Sequence, residues 1–205
     1  MKTSLAQIFI PVAILGAMPA VAAGAEAAGS VNLGVGGIIR TMPHCDANVY
    51  TIEYEHLANS TTTILGRGNL VDYTFNDGNY REHGILRGLD IGARYYPAGG
   101  MHGFFTGGSL GYWNGGWTFI HALARPEQYQ GTAHSKALRL NVELGDRIPI
   151  GGTRVSIMPE INIGKFFSSR SCEYTAPASM IGIPCSQKSE VNAYFFVGIA
   201  VGVSL

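Results

Sequence analysis

The strongest regularity in the chain is alternation. From Val191 to the last residue, Val191, Ala193, Phe195, Val197, Ile199, Val201, Val203 and Leu205 share one face, against Asn192, Tyr194, Phe196, Gly198, Ala200, Gly202 and Ser204 on the other. Period two over such a length predicts a strand, and one apolar face on so long a strand suits the closing strand of a barrel. Two further segments are nearly as clear. Near 135–148, Leu138, Leu140, Val142 and Leu144 alternate with Arg139, Asn141, Glu143 and Gly145. Near 153–167, Val155, Ile157, Ile161 and Ile163 alternate with Ser156, Met158, Glu160 and Asn162, and Pro159, which lacks a ladder donor, predicts a local bulge.

Weaker alternation predicts five more strands. Val31, Leu33, Val35 and Ile39 mark one near 30–40, and Tyr50, Ile52 and Tyr54 alternate with Thr51, Glu53 and Glu55 near 48–57. Ile64 and Leu70 oppose Arg67 and Asn69 near 61–73, while Leu89, Ile91, Ala93 and Tyr95 oppose Gly88, Asp90, Gly92 and Arg94 near 85–96. The stretch from Gly103 to about Phe119 is so rich in glycine and aromatics that its facing stays open. The expected connections alternate in kind: outside loops at 41–47, 74–84, 120–133 and 168–189, and short turns at 58–60, 97–100 and 149–152. The fold class is therefore all-β, an eight-stranded antiparallel up-and-down transmembrane β-barrel with both termini in the periplasm.

Composition narrows the setting. Lys+Arg and Asp+Glu both count 14, a balance that gives no support to nucleic-acid binding, and charged residues at 14% fall well below the roughly 25% of soluble domains. Lys2, the apolar run Leu5–Leu15 broken only by Gln7, and Ala20-Val21-Ala22 read as a signal peptide over residues 1–22, with cleavage before Ala23 and a second choice after Ala25. Residues 23–205 then form the barrel domain. Export permits a disulfide, for which Cys172 and Cys185 are the candidates, with Cys45 left over. No C-x-x-C or Cys/His spacing suggests zinc, and no metal or cofactor is expected.

Orientation follows from energy. The polar faces carry Glu53, Glu55, Arg67, Asp90, Arg94, Arg139, Glu143 and Glu160. A Lys or Arg facing mid-bilayer lipid costs about 2–4 kcal/mol, so these residues must face the lumen if the barrel lies in a membrane. Charges of both signs there are expected to pair with each other and with Asn32, Asn69, Asn141, Asn162 and Asn192, plugging the interior; Arg94 and Arg139 should each meet a carboxylate. Tyr95, Tyr96, Phe104 and Phe105 on one side, and Trp113, Trp117, Phe166 and Phe167 on the other, are expected as aromatic girdles.

In the signal peptide, the Tyr50–Tyr54 strand with Glu55, the segment Gly88-Leu89-Asp90-Ile91-Gly92-Ala93-Arg94-Tyr95-Tyr96-Pro97 and the alternating C-terminus, the chain resembles small bacterial outer-membrane barrels of the OmpA-barrel, opacity-protein and OmpW-like type. Leu205 stands where such proteins usually end in Phe. The resemblance implies outer-membrane location, contact with outer-membrane lipid and with the barrel-assembly machinery, and no catalytic set.

The expected function is a non-enzymatic outer-membrane barrel with a structural or surface-interaction role through its outside loops, the long 168–189 loop braced by Cys172 and Cys185 among them; a surface partner is not specified. A second reading is a narrow channel for small solutes along the Gly-rich wall near Gly103–Gly116. A third, a membrane-embedded lipid hydrolase, rests on the adjacent pair His134-Ser135, whose side chains should point to opposite faces of a strand. His44, His83 and His121 are expected in loops, and Gly34-Val35-Gly36 and Gly107-Gly108 sit within strands rather than opening a phosphate-binding helix.

Overall fold

In the computed structural model, residues 28–38, 45–121, 129–177, 181 and 184–205 are described. The signal-peptide expectation and His44 fall outside these residues. Eight strands follow in order: β1 (Gly29–Ile38), β2 (Cys45–Leu57), β3 (Thr62–Asn76), β4 (Tyr80–Tyr95), β5 (Gly103–His121), β6 (Tyr129–Pro149), β7 (Val155–Ala176) and β8 (Pro184–Ser204). Each pairs antiparallel with its sequence neighbour, and β1 closes on β8. We call the end holding Gly29, Ser204 and the turns 58–61, 96–102 and 150–154 the base, and the other end the rim.

Alternation decides the facing throughout. Leu89 and Ile91 on β4 are 74% and 65% exposed on the outer wall, while Asp90 between them is buried. Because a strand turns successive side chains to opposite faces, the expected aromatic girdles are split. Tyr95, Phe104 and Phe167 lie exposed outside, whereas Tyr96, Phe105, Trp113 and Trp117 are buried in the lumen and Phe166 packs against Trp113. The Gly103–Phe119 stretch resolves the same way, with Phe105, Trp113 and Trp117 inward and Phe104, Leu110 and Tyr112 outward.

Two expectations about irregularity change. The rim connections are much shorter than the loops expected at 74–84, 120–133 and 168–189, because β3 to β8 run past the membrane belt as paired strands. Cys172 and Cys185 accordingly sit in strands, as direct register partners of the β7–β8 hairpin, and not in a loose loop. Pro159 produces no bulge. The β6–β7 register is the same on both sides of it, Gly145 with Glu160 and Ile148 with Ile157. Its position on the exterior confines the cost to one missing ladder donor. The register shifts lie instead near the rim, at Gln130/Gly131 and at Arg170/Cys172.

The outer wall also shows where its apolar belt ends. Arg87, Asn114, Lys136 and Ser169 are successive register partners across β4 to β7, and all four are exposed. Two residues nearer the base stand Leu89, Tyr112, Leu138 and Phe167. A cation costs about 2–4 kcal/mol at the bilayer midplane and about 0–1 near an interface, so Arg87 and Lys136 belong near the edge of the hydrocarbon, and Lys165, exposed beside Leu140 and closer to the base, must extend its ammonium toward that edge.

Candidate functional site

The lumen is the candidate site, and it has two unlike halves. All eight charged residues expected to face inward do so, each between 0% and 6% exposed. Toward the base, seven charged side chains interlock. Arg94 donates from Nε to Glu143 Oε1 at 2.7 Å, from Nη1 to Glu53 Oε1 at 2.5 Å and Glu55 Oε2 at 3.0 Å, and from Nη2 to Glu160 Oε2 at 3.3 Å. Arg67 donates to Glu53 Oε2 at 2.8 Å and Glu143 Oε2 at 2.6 Å. Arg147 bonds Glu55 Oε2 and reaches Ser30 Oγ at 3.0 Å. Thr63, Tyr96 and Asn32 donate further hydrogen bonds to Glu55 and Glu53. These contacts join the β2–β4 wall to the β6–β7 wall straight across the interior.

Arg147 was not among the expected charges, yet two signals point to it. It continues the parity of Arg139, Asn141, Glu143 and Gly145, and it lessens an excess of five carboxylates over three arginines. Glycines on β5 make room for the charges. A Cβ on Gly107 would stand 2.9 Å from Glu143 Oε1, and one on Gly111 only 1.7 Å from Asp90 Oδ1. Gly107 and Gly111 on the Gly-rich wall thus seat side chains of the charged interior.

Nearer the rim a second, smaller pair appears. Asp90 accepts from Arg139 Nη1 at 2.8 Å, Asn69 Nδ2 at 2.8 Å and Trp113 Nε1 at 2.9 Å. Arg139 also bonds the Tyr194 hydroxyl at 2.5 Å and stacks over Trp113. Above this pair the interior turns apolar and aromatic: Val49, Val71, Trp113, Ala137 and Phe196 form one cluster, and Trp117, Phe119 and Ala133 another. Between them lies a cavity of about 180 Å³ lined by Tyr73, Glu82, Leu86, Trp113, Trp117, Ser135, Ala137, Phe166, Ser168 and Arg170, among others. A smaller void of about 50 Å³ adjoins it toward the base, sharing Leu86, Trp113 and Phe166.

The rim half carries its own polar device. Glu82 accepts from Tyr73 OH at 2.6 Å and Tyr80 OH at 2.5 Å, and Arg170 approaches it at 3.5 Å while lying 4.4 Å over the Trp117 ring. This group lies beyond the polar row of the outer wall. Burial first, and then Glu82, push both phenols above the ordinary tyrosine range.

The histidine candidates do not converge. His134 is exposed outside while Ser135 lines the lumen; His83 pairs with Asp72 on the exterior at 3.2 Å, and His121 packs edge-on against Tyr80. Among the described residues no cluster of three or more His, Cys, Asp or Glu is arranged to hold a metal.

The fold is similar to solved barrels. The translocator domain of the autotransporter NalP from Neisseria meningitidis aligns over 89% of this chain and 90% of its own length, with a TM-score of 0.58 and 10% identity. A major outer membrane protein from Thermus thermophilus aligns over 87% of this chain and 100% of its own, with a TM-score of 0.53 and 13% identity. At such identities the likeness is one of fold. No protein-family model matches the chain, and no curated protein matches it in sequence. The apolar outer wall together with this fold gives the chain the architecture of an outer-membrane β-barrel.

Proposed function

We propose that the protein is a non-enzymatic outer-membrane barrel with a closed lumen, whose base faces the periplasm and whose projecting strands present an interaction surface outside the cell. The supporting observation is the base network: Arg67, Arg94 and Arg147 bind four glutamates from opposite walls, each of these side chains buried. Buried ion pairs that satisfy one another resist opening, since a lone charge left behind is costly. On this reading residues 1–22 are removed on export, the barrel is inserted by the assembly machinery, and the nearest kin are the small OmpA-barrel, opacity-protein or OmpW-like proteins.

Cys172 and Cys185 complete the proposal. Facing partners in an antiparallel pair have the Cα separation a disulfide needs, and a bond there contributes about 3 kcal/mol by closing the hairpin. Mass spectrometry after alkylation without reductant would show both thiols protected.

Single-channel recording in planar bilayers tests the closed lumen. Purified wild-type protein should give no repeatable conductance steps; steps that persist at low protein density would replace this reading with a channel for small solutes.

A further inference from the structure

The rim half of the lumen has the makings of a ligand site that the plug below it does not explain. The cavity of about 180 Å³ exists because the wall opposite Tyr73 and Leu86 is built from small side chains: Ala137 on β6 and Ser168 on β7, which are register partners, and Ser135, two residues along β6. Its other walls are rings: Trp113, Trp117, Phe166 and Tyr73. An apolar cavity of about 150 Å³ is enough to hold benzene, so this one has room for a single ring and a small substituent.

The polar groups at the site select the substituent. Glu82 and Arg170 oppose each other at 3.5 Å, so the pair brings no net charge to favour an ion of either sign. Each Glu82 oxygen already accepts a tyrosine hydroxyl, and among the described residues Arg170 pairs with Glu82, also meets the Tyr80 hydroxyl, and rests its face on Trp117. A guanidinium has five N–H donors, and each carboxylate oxygen has a second lone pair. The pair can therefore donate to and accept from one more group. A hydroxyl offers both a proton and lone pairs; a carboxylate would be repelled by Glu82, and an ammonium by Arg170.

We propose that this cavity binds a small single-ring aromatic molecule carrying a hydroxyl group, with the ring between the aromatic walls and the hydroxyl bridging Glu82 and Arg170. The proposal goes beyond the closed-barrel reading and stands whether or not the lumen conducts.

The chain supplies its own probe, because its two tryptophans, Trp113 and Trp117, both line the cavity. Phenol, benzoate and benzylammonium would be titrated separately at neutral pH into the folded barrel in nanodiscs, with excitation confined to tryptophan. Phenol should change the emission saturably, and both ions should bind at least tenfold more weakly. Ala137→Phe and Ser168→Leu, which fill the small wall, should remove the saturable change, with folding checked by heat-modifiable gel mobility. Glu82→Gln should weaken phenol several-fold without closing the cavity. A linear response to phenol in the wild type, or ions that bind as well as phenol, would overturn the proposal; so would saturation unchanged in whichever filled variant folds. Conductance plays no part in this readout, so failure here leaves the closed-barrel reading to its own test.

Discussion

The base and rim halves of the lumen belong to one barrel yet are built on opposite principles. At the base, charge is matched against charge: Arg94 alone contacts four carboxylates, and a neighbouring hydroxyl and amide donate further hydrogen bonds to Glu55 and Glu53. At the rim, aromatic rings stack edge to face, as Tyr73 does with Trp117 and Trp113 with Phe166, and they leave a void. The difference teaches where each half is replaceable. Ionic packing fails as a unit when one member is lost, whereas aromatic packing gives way locally.

Arg94→Met should be the most damaging change. It strands buried glutamates that Arg67 and Arg147 serve only in part, at a cost of about 3–5 kcal/mol. Urea-dependent gel mobility should show a much lower unfolding midpoint, if a folded band forms at all. Arg139→Met should cost less, about 1–3 kcal/mol, because Asp90 keeps Asn69 and Trp113 as donors. Equal losses in the two variants would erase the distinction between the halves.

Glycine positions sharpen it further. Gly111→Ala would push a methyl onto Asp90 and should cost about 1–3 kcal/mol, measured by the same midpoint. Gly66→Ala, where an added Cβ meets nothing within 4 Å, should change stability by less than about 0.5 kcal/mol.

The smallest effect is expected at the rim in alkali. The folded-state pKa of Tyr73 and of Tyr80 is raised, so their contribution is complete below the unfolded value near about 10 and is lost as pH rises through the folded one. Ultraviolet titration should find these two phenols ionising after the exposed tyrosines. Glu82→Gln should bring them back toward the rest.

The barrel was legible in the sequence because period two survives in the outer wall, where lipid demands apolar residues at every second place. The interior charges were legible for the same reason, as the complement of that wall. What escaped was whatever parity alone cannot carry. Arg147 follows Asp146 within the strand expected near 135–148, and two adjacent charges hide which one turns inward, just as the doubled aromatics hide that Tyr96 and Phe105 face the lumen and not a girdle. The rim was the least legible part. Beyond the hydrocarbon nothing forces alternation on the exterior, so Ser169, Ser171 and Glu173 read as loop although they are strand. The cavity depends on small residues meeting across β6 and β7, a fact of register rather than of composition.

The exterior row Arg87–Asn114–Lys136–Ser169 has a consequence for how the molecule floats. Sinking the barrel would carry Arg87 and Lys136 toward oil and Lys165, already nearer the base, deeper into it, while raising it would wet Leu89, Leu138 and Phe167. Either displacement is penalised, so immersion depth is written into the wall itself, and a bilayer of unsuitable thickness must deform to meet that waterline before the protein will shift.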